Sequence, residues 1–368
     1  MNSRMGEAHF ALGNIADARG DSERARDHFR QASERLPGLF DTHMRLGQVL
    51  FGLQDYSGAT DSFHAAMNLD PGNIEAHHLM GQCFEERKLV GRAEISYRKV
   101  LALNPDHLQA HYRLAFIFLP MDRREEAAKQ FSEILRINPN DEQARHMLAA
   151  QRGETTSTAP AGYVATLFDG FADTFDKKLV DELGYRALTV LHEIVSQYLA
   201  PASGALDVID LGCGTGLCAP LFRPMARTLR GVDISTRMID KARERAMYDE
   251  LEVGDIVSSL NAAVSAWDLV ISTDVFIYLG DLREIFPACA AALRPGGLFA
   301  FSIETDDDAD DFVLRATGRY AHASTYIQRL AAETGFATIE RRAVVLRKEK
   351  GKDLNGDIFL LRRTTDAV

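Results

Sequence analysis

The chain has little cysteine. Its four thiols, Cys83, Cys213, Cys218 and Cys289, show neither the paired C-x-x-C spacing of a zinc site nor the density of a disulfide framework, so they read as reduced and mostly buried. Histidine is scarce where a metal site would need it. Nine of the eleven precede residue 150, leaving His192 and His322 behind, and no metal is expected in the second half. Long apolar runs are missing too: no segment approaches the roughly 18 residues of a membrane span. The opening "MNSRMGEAHFALGNIADARGD" has no apolar stretch behind a basic start. The expected location is the cytoplasm, without a membrane partner. Clusters of Lys and Arg interleaved with aromatics are likewise lacking, and the net charge of -11 is spread over both halves, which speaks against nucleic acid as a partner. What is left, 368 residues at 46% hydrophobic and 26% charged, is ordinary globular composition with room for two or more domains.

The first half repeats. Pro37, Pro71, Pro105 and Pro139 stand 34 residues apart, and other columns keep the same step: Phe29, Phe63, Tyr97 and Phe131; Ala25, Ala59, Ala93 and Ala127; Gly13, Gly47, Gly81 and Ala115. Small residues let paired helices approach, aromatics fill the seam, and proline ends each second helix. The pattern predicts four stacked helix pairs over about residues 6–141, closed by "DEQARHMLAAQRG" as a more polar cap. This half resembles the tetratricopeptide family. Such arrays carry a partner on the face built by the first helices, here projected to hold Glu7, Asp41, Glu75 and Glu85 with Phe10, Phe51, Tyr112 and Phe116. An acidic and aromatic face suits a basic or apolar protein segment; packing on the chain's own second domain is the bland alternative.

Residues 1–150 thus form one domain, "QRGETTSTAPAG" over 151–162 reads as a linker, and 163–368 form a second domain. Beyond the linker, apolar runs ("DVIDL", "LRGVD", "LEVGD", "WDLVIST", "GLFAFSIE") alternate with helical stretches, which predicts an α/β doubly wound, mostly parallel sheet. The tail, "ATIERRAVVLRKEKGKDLNGDIFLLRR", reads as an antiparallel hairpin around a Gly/Asn turn.

"DVIDLGCGTGLCAP" places Gly212, Gly214 and Gly216 after the first strand. The third glycine is misplaced for the dinucleotide fingerprint, and no Lys-Ser/Thr pair follows for a nucleoside triphosphate. Asp210 would repel a diphosphate but accept an ammonium group. The second strand ends in Asp233, about 20 positions on, where a carboxylate takes ribose hydroxyls. A third ends at Asp255, and a fourth brings Asp274 and Tyr278 to the same edge. "LRPGG", Leu293 to Gly297, reads as a turn closing a helix before the fifth strand.

Taken in order, "VIDLGCGTG", "GVDIS", "GDI", "DLVISTDVF" and "LRPGG" resemble the class I methyltransferases that use S-adenosylmethionine, over about residues 160–363. The resemblance implies a seven-stranded sheet with one antiparallel strand near an edge. It also implies a cofactor site: Gly212, Cys213, Gly214 and Gly216 behind the methionine part, Asp210 near its ammonium, Asp233 on the ribose with Ile234 and Met238 beside it, Asp255 and Ile256 at the adenine, Asp274 and Val275 along the rear. "YVATLFDGFADTFDKKLVDELGYRAL" resembles the aromatic segment that folds over the cofactor in many small-molecule and carboxyl methyltransferases, with Phe168 and Phe175 as cofactor contacts. Both halves together resemble a bacterial group of predicted methyltransferases with tetratricopeptide repeats, departing from it at Leu188 and at Gly351 to Leu354.

A sulfonium methyl is already activated, so alignment and, for a protonated acceptor, a base are what the protein must supply. The candidates are His322, Tyr278 and Tyr320, with Glu304 nearby and Arg315 and Arg319 available to an anionic acceptor. The acidic run Thr305–Phe312 reads as a solvated loop. The expected function is methyl transfer to oxygen or nitrogen of a small molecule or carrier-bound acid, the repeats recruiting a protein. The alternatives are a protein methyltransferase whose substrate the repeats hold, and an inactive scaffold.

Overall fold

The 34-residue columns become helix pairs: α1 (Asn2–Ala18) with α2 (Ser22–Arg35), α3 (Phe40–Gly52) with α4 (Tyr56–Leu69), α5 (Ile74–Glu86) with α6 (Val90–Leu103), and α7 (Leu108–Phe118) with α8 (Arg124–Ile137). In this computed structural model, residues 2–182, 184–199, 204–349 and 351–364 are described. Ala25, Ala59, Ala93 and Ala127 are fully buried, as are Phe29, Phe63, Tyr97 and Phe131. A Cβ at Gly47 would stand 2.5 Å from the Phe63 ring, so the glycine column is what lets the aromatic column lie flat between helices. Asp21, Asp55 and Asn73 cap the helices that follow them by accepting a backbone N–H. Two of the residues projected onto the partner face are tied to a neighbouring repeat or the cap, Glu75 accepting from Gln48 at 2.9 Å and Tyr112 donating to Asp141 at 2.5 Å.

The cap is α9 (Glu142–Arg152), and the chain divides into two units within it, Met1–Leu148 and Ala149–Val368. The stretch read as a linker does not hang free. In the second unit Ser157 O accepts from the N–H groups of Gly280 and Asp281, Ala159 N donates to Tyr278 O, and Gln151 donates to Ala316 O. Small polar residues had suggested mobility, yet this same composition lets the chain lie extended along a neighbour and spend its backbone groups there.

The second unit continues with α10 (Ala161–Phe171), a π-helical turn (Lys177–Glu182) and α11 (Ala187–Tyr198). Its strands are β1 (Leu206–Leu211), β2 (Ala226–Asp233), β3 (Glu250–Val253), β4 (Trp267–Ser272), β5 (Leu293–Glu304), β8 (Phe336–Glu349) and β9 (Lys352–Arg363), ordered β3-β2-β1-β4-β5-β9-β8. β9 runs antiparallel to both neighbours, and the remaining pairs are parallel. Between them come α12 (Ala219–Phe222), α13 (Thr236–Glu244), α14 (Ile256–Asn261), α15 (Ile285–Ala292) and α16 (Ser324–Glu333), and a small ladder of β6 (Phe312–Leu314) with β7 (Tyr320–His322). One face of the sheet buries Phe286, Phe299, Phe301 and Tyr326; the other buries Leu191, Ile194, Phe222 and Leu269. Order reverses at β1, where β2 lies on one side and β4 on the other, and ligands of such sheets sit outside that point. No helix among the described residues is long and apolar enough to cross a membrane.

Two local readings need correction. "LRPGG" is not a turn before the fifth strand but its first part: Trp267 pairs with Leu293 and Leu269 with Leu298, so Arg294–Gly297 bulge outward, a place in a ladder that Pro295 tolerates. The hairpin closes between Glu349 and Lys352, near Gly351, while Asn355 and Gly356 stay inside β9. Gly356 is there because a Cβ would stand 2.1 Å from Ile303 O and 2.3 Å from Leu346.

Candidate functional site

After Leu211 the backbone turns through Gly212, Gly214 and Gly216 at φ of +68°, +55° and +83°. Side chains rarely adopt this geometry, and at Gly212 a Cβ would also stand 2.2 Å from Val275. At Gly214 an added Cβ would meet only Phe175, at 3.9 Å. The helix that follows, α12, has four residues, so little macrodipole faces the turn, in keeping with a ligand that is not a phosphate.

Asp233 closes the turn from behind. It is 8% exposed, accepts from Gly214 N and Ser235 N at 2.8 Å each, and is pushed upward in pKa by burial against the pull of those N–H groups. Ser235 caps α13 through Met238 N, so Ile234 and the buried Met238 follow directly on the carboxylate. Asp210 is 1% exposed and accepts from the Tyr248 hydroxyl at 2.7 Å. Burial, with Asp233 adding to it and Tyr248 opposing it, pushes its carboxyl up to about 7. Cys213 and Cys218 are buried, their thiols held well above the usual range by desolvation. Asp255 caps α14, accepting from Ser258 N at 2.8 Å, and Ile256 opens that helix.

The raised Asp210 has a thermodynamic consequence. Between the unfolded carboxylate value and about 7, the folded protein holds a proton that the unfolded chain has released, so stability falls as pH rises through that window. Asp210→Asn should remove up to about 4 kcal/mol of that decline. Urea unfolding at pH 5 and pH 8 checks this: the difference between the two should shrink in the variant.

Across the turn lies the segment from α10 to the π-helical turn. Phe168 meets Phe175 edge-on at 5.9 Å and Tyr278 at 5.4 Å between ring centroids, joining the aromatics over the glycines to the end of β4. Its acids, which sequence reasoning left unassigned, fasten it. Asp169 accepts from the Ser235 hydroxyl at 2.6 Å and Arg237 N at 3.2 Å; Asp173 pairs with Arg237 and with Lys241 at 3.4 Å; Asp176 takes Thr215 and Arg245. The signal was legible: acids at 169, 173 and 176 and bases at 237, 241 and 245 are each spaced for one face of a helix.

The catalytic candidates divide. Tyr278 lies at the site, its hydroxyl pushed up by burial. Tyr320 is fully buried in β7 and shares a hydrogen bond with Thr156. His322 is fully buried as well. Its Nε2 lies 2.9 Å from Leu279 O and 3.0 Å from Gly280 O, its ring stacks parallel on Tyr326, and burial lowers its pKa to about 4. A histidine held neutral against two carbonyls braces the loop after β4; the expectation of a base near neutrality gives way to that role. Arg315 and Arg319, which the sequence offered to an anionic acceptor, are half-buried and both lean on Glu304, itself 1% exposed. Glu304 also takes Arg347 of β8, which reaches Asp274 at 2.6 Å. Arg347 was missed because nothing local marks a strand arginine whose partners lie 43 and 73 residues away. In the acidic run, Asp306, Asp307 and Asp311 face Arg315, Arg341 and Arg329.

Comparison with known proteins fits this geometry. The methyltransferase domain family matches residues 208–297, and three tetratricopeptide repeat families match residues 10–74, 74–107 and 91–151. The chain joins tetratricopeptide repeats to a methyltransferase domain. It is 32% identical over 111 residues to a probable S-adenosylmethionine-dependent methyltransferase of Mycolicibacterium smegmatis, covering 30% of this chain and 43% of that one. It is 33% identical over 108 residues to a malonyl-[acyl-carrier protein] O-methyltransferase of Pectobacterium atrosepticum, covering 29% and 42%. The chain thus spans less than half the length of these curated relatives. Among solved structures, magnesium protoporphyrin IX methyltransferase from Synechocystis with bound SAH aligns over 55% of this chain and 99% of its own, at 16% identity and a TM-score of 0.44. The matched stretch, 208–297, contains the glycine turn, Asp233, Asp255 and Asp274.

Proposed function

We propose that this methyltransferase domain uses S-adenosylmethionine to methylate oxygen or nitrogen of a small molecule or carrier-bound acid, and that the repeats recruit a protein. The observation that carries the reading is the Asp233 carboxylate buried behind a three-glycine turn at the point where strand order reverses. The residues present suit the cofactor. Gly214 leaves a side-chain-free surface under Phe175, Asp210 is a buried carboxyl able to answer an ammonium, and Asp233 has acceptor capacity left for ribose hydroxyls. When bound, the cofactor supplies an electrophilic methyl group. The chain's own part is to seat the nucleoside on Asp233, keep water out with Phe168 and Phe175, and hold the acceptor at the end of β4. Titration calorimetry of the full chain with S-adenosylhomocysteine tests this: one site per chain is expected, and no measurable binding would make the fold a scaffold without its cofactor.

The paired acids and bases between the α10 segment and α13 make the cover an electrostatic latch. Arg237→Glu with Lys241→Glu should speed S-adenosylhomocysteine release by roughly 3- to 10-fold, the scale of two exposed ion pairs turned repulsive. Stopped-flow displacement measures it, and in the parent protein release should quicken with added salt.

A further inference from the structure

The loop after β4 holds an unsettled group. Asp274 has φ of +56°, a conformation that costs a side-chain-bearing residue about 1–3 kcal/mol. One carboxylate oxygen, Oδ2, accepts from Arg347 at 2.6 Å; the other, Oδ1, is buried and has no hydrogen-bond partner among the described residues. Its backbone N–H is tied to Ser302 Oγ at 3.0 Å, and the next residue, Val275, fills the space that Gly212 leaves open. The orphaned oxygen therefore belongs to the residue beside the turn that would hold the methyl donor, four positions before Tyr278 and its contact with Phe168.

The surroundings fix the carboxylate rather than satisfy it. Arg347 is 5% exposed and divides its guanidinium between Asp274 and Glu304, and Glu304 is braced by Arg319 and Arg315. Every cation in this network is already turned toward a carboxylate. A strained acid, clamped on one oxygen and bare on the other, needs a donor from outside the chain, because an unpaired buried acceptor costs about 1–3 kcal/mol. A carboxylate acceptor cannot give one and would be repelled; an amine or a hydroxyl can.

We infer that Asp274 Oδ1 receives the N–H or O–H of the methyl acceptor, which makes the substrate a protic amine or alcohol and Asp274 the group that takes its proton. This rests on the S-adenosylmethionine reading above and narrows its acceptor, setting aside the free carboxylate of a carrier-bound acid. In the transfer, the acceptor lone pair forms the new C–N or C–O bond as the C–S bond breaks. The bonding pair returns to sulfur, giving S-adenosylhomocysteine, and the acceptor's proton passes to Asp274 Oδ1 and later to water. A methylated carboxylate would release no proton and leave Asp274 without a task.

Sinefungin, which carries an amino group where the transferable methyl would sit, is a probe that needs no knowledge of the acceptor. If Asp274 faces that position, the full-length protein should bind sinefungin at least tenfold more tightly than S-adenosylhomocysteine by calorimetry, since a charge-assisted bond is gained. Asp274→Asn should bring the ratio to near one, whatever it does to the affinity for S-adenosylhomocysteine itself, because both ligands share every other contact. A ratio near one in the parent protein overturns the inference even if the variant fails to fold, as does a high ratio that survives in a folded variant. No binding of S-adenosylhomocysteine to the parent would instead overturn the cofactor reading beneath it.

Discussion

Asp233→Ala should weaken S-adenosylhomocysteine binding by about 100-fold or more, the equivalent of roughly 3 kcal/mol. The carboxylate is expected to do two things at once. It holds Gly214 N and Ser235 N at 2.8 Å, which fixes the glycine turn and the start of α13, and its remaining lone pairs are the acceptors a ribose would use. Hydrogen bonds to charged groups contribute about 1.5–3 kcal/mol each, so loss of the sugar contacts alone accounts for most of the drop. Asp233→Asn retains the shape but only one carbonyl oxygen, and should fall between parent and alanine variant. Calorimetry on all three proteins, with thermal melts to show folding, checks the order. An alanine variant binding like the parent would remove the basis for seating the nucleoside there.

The second large effect concerns stability. Arg347→Met should lower unfolding free energy by about 3–5 kcal/mol, because it strips the shared cation from two carboxylates that stay behind in the protein interior. Glu304 is 1% exposed, and Asp274 keeps no other side-chain hydrogen bond among the described residues. Adding Asp274→Asn to Arg347→Met should restore part of the loss, since the amide needs no counter-charge while Glu304 keeps Arg315 and Arg319. Urea unfolding of the parent, the single and the double variants measures this; equal midpoints for parent and single variant would show that the network carries no stability.

Much of this was legible because the informative signals were local or periodic. The 34-residue step fixed which helices pair, and Gly13, Gly47 and Gly81 declared their aromatic partners 16 residues away. The glycine turn, with an acid closing the following strand, marked the edge of the sheet at which ligands of such folds bind. What escaped was decided by side chains meeting across the fold. His322 had the right chemistry for a base, yet the packing of β7 against the 279–280 backbone made it a brace. Arg347 looked like one more charge on an alternating strand, whereas the register of β8 on β9 turns it inward toward Glu304 and Asp274. The stretch 151–162 had the composition of a spacer, and only its bonds to residues 278–281, 316 and 320 show it fastened.

The position of β9 bears on how the protein is made. Though last among the strands, it is seated inside the sheet, bonded to β5 on one flank and β8 on the other. On the ribosome the helical repeats, built from neighbouring segments, can assemble as soon as they emerge, whereas the sheet must wait for a strand made after all its other strands. Until then the edge of β5 is bare and Arg347 has not reached Glu304. The half of the site proposed to grip the methyl acceptor is therefore completed only when β8 and β9 have joined the sheet.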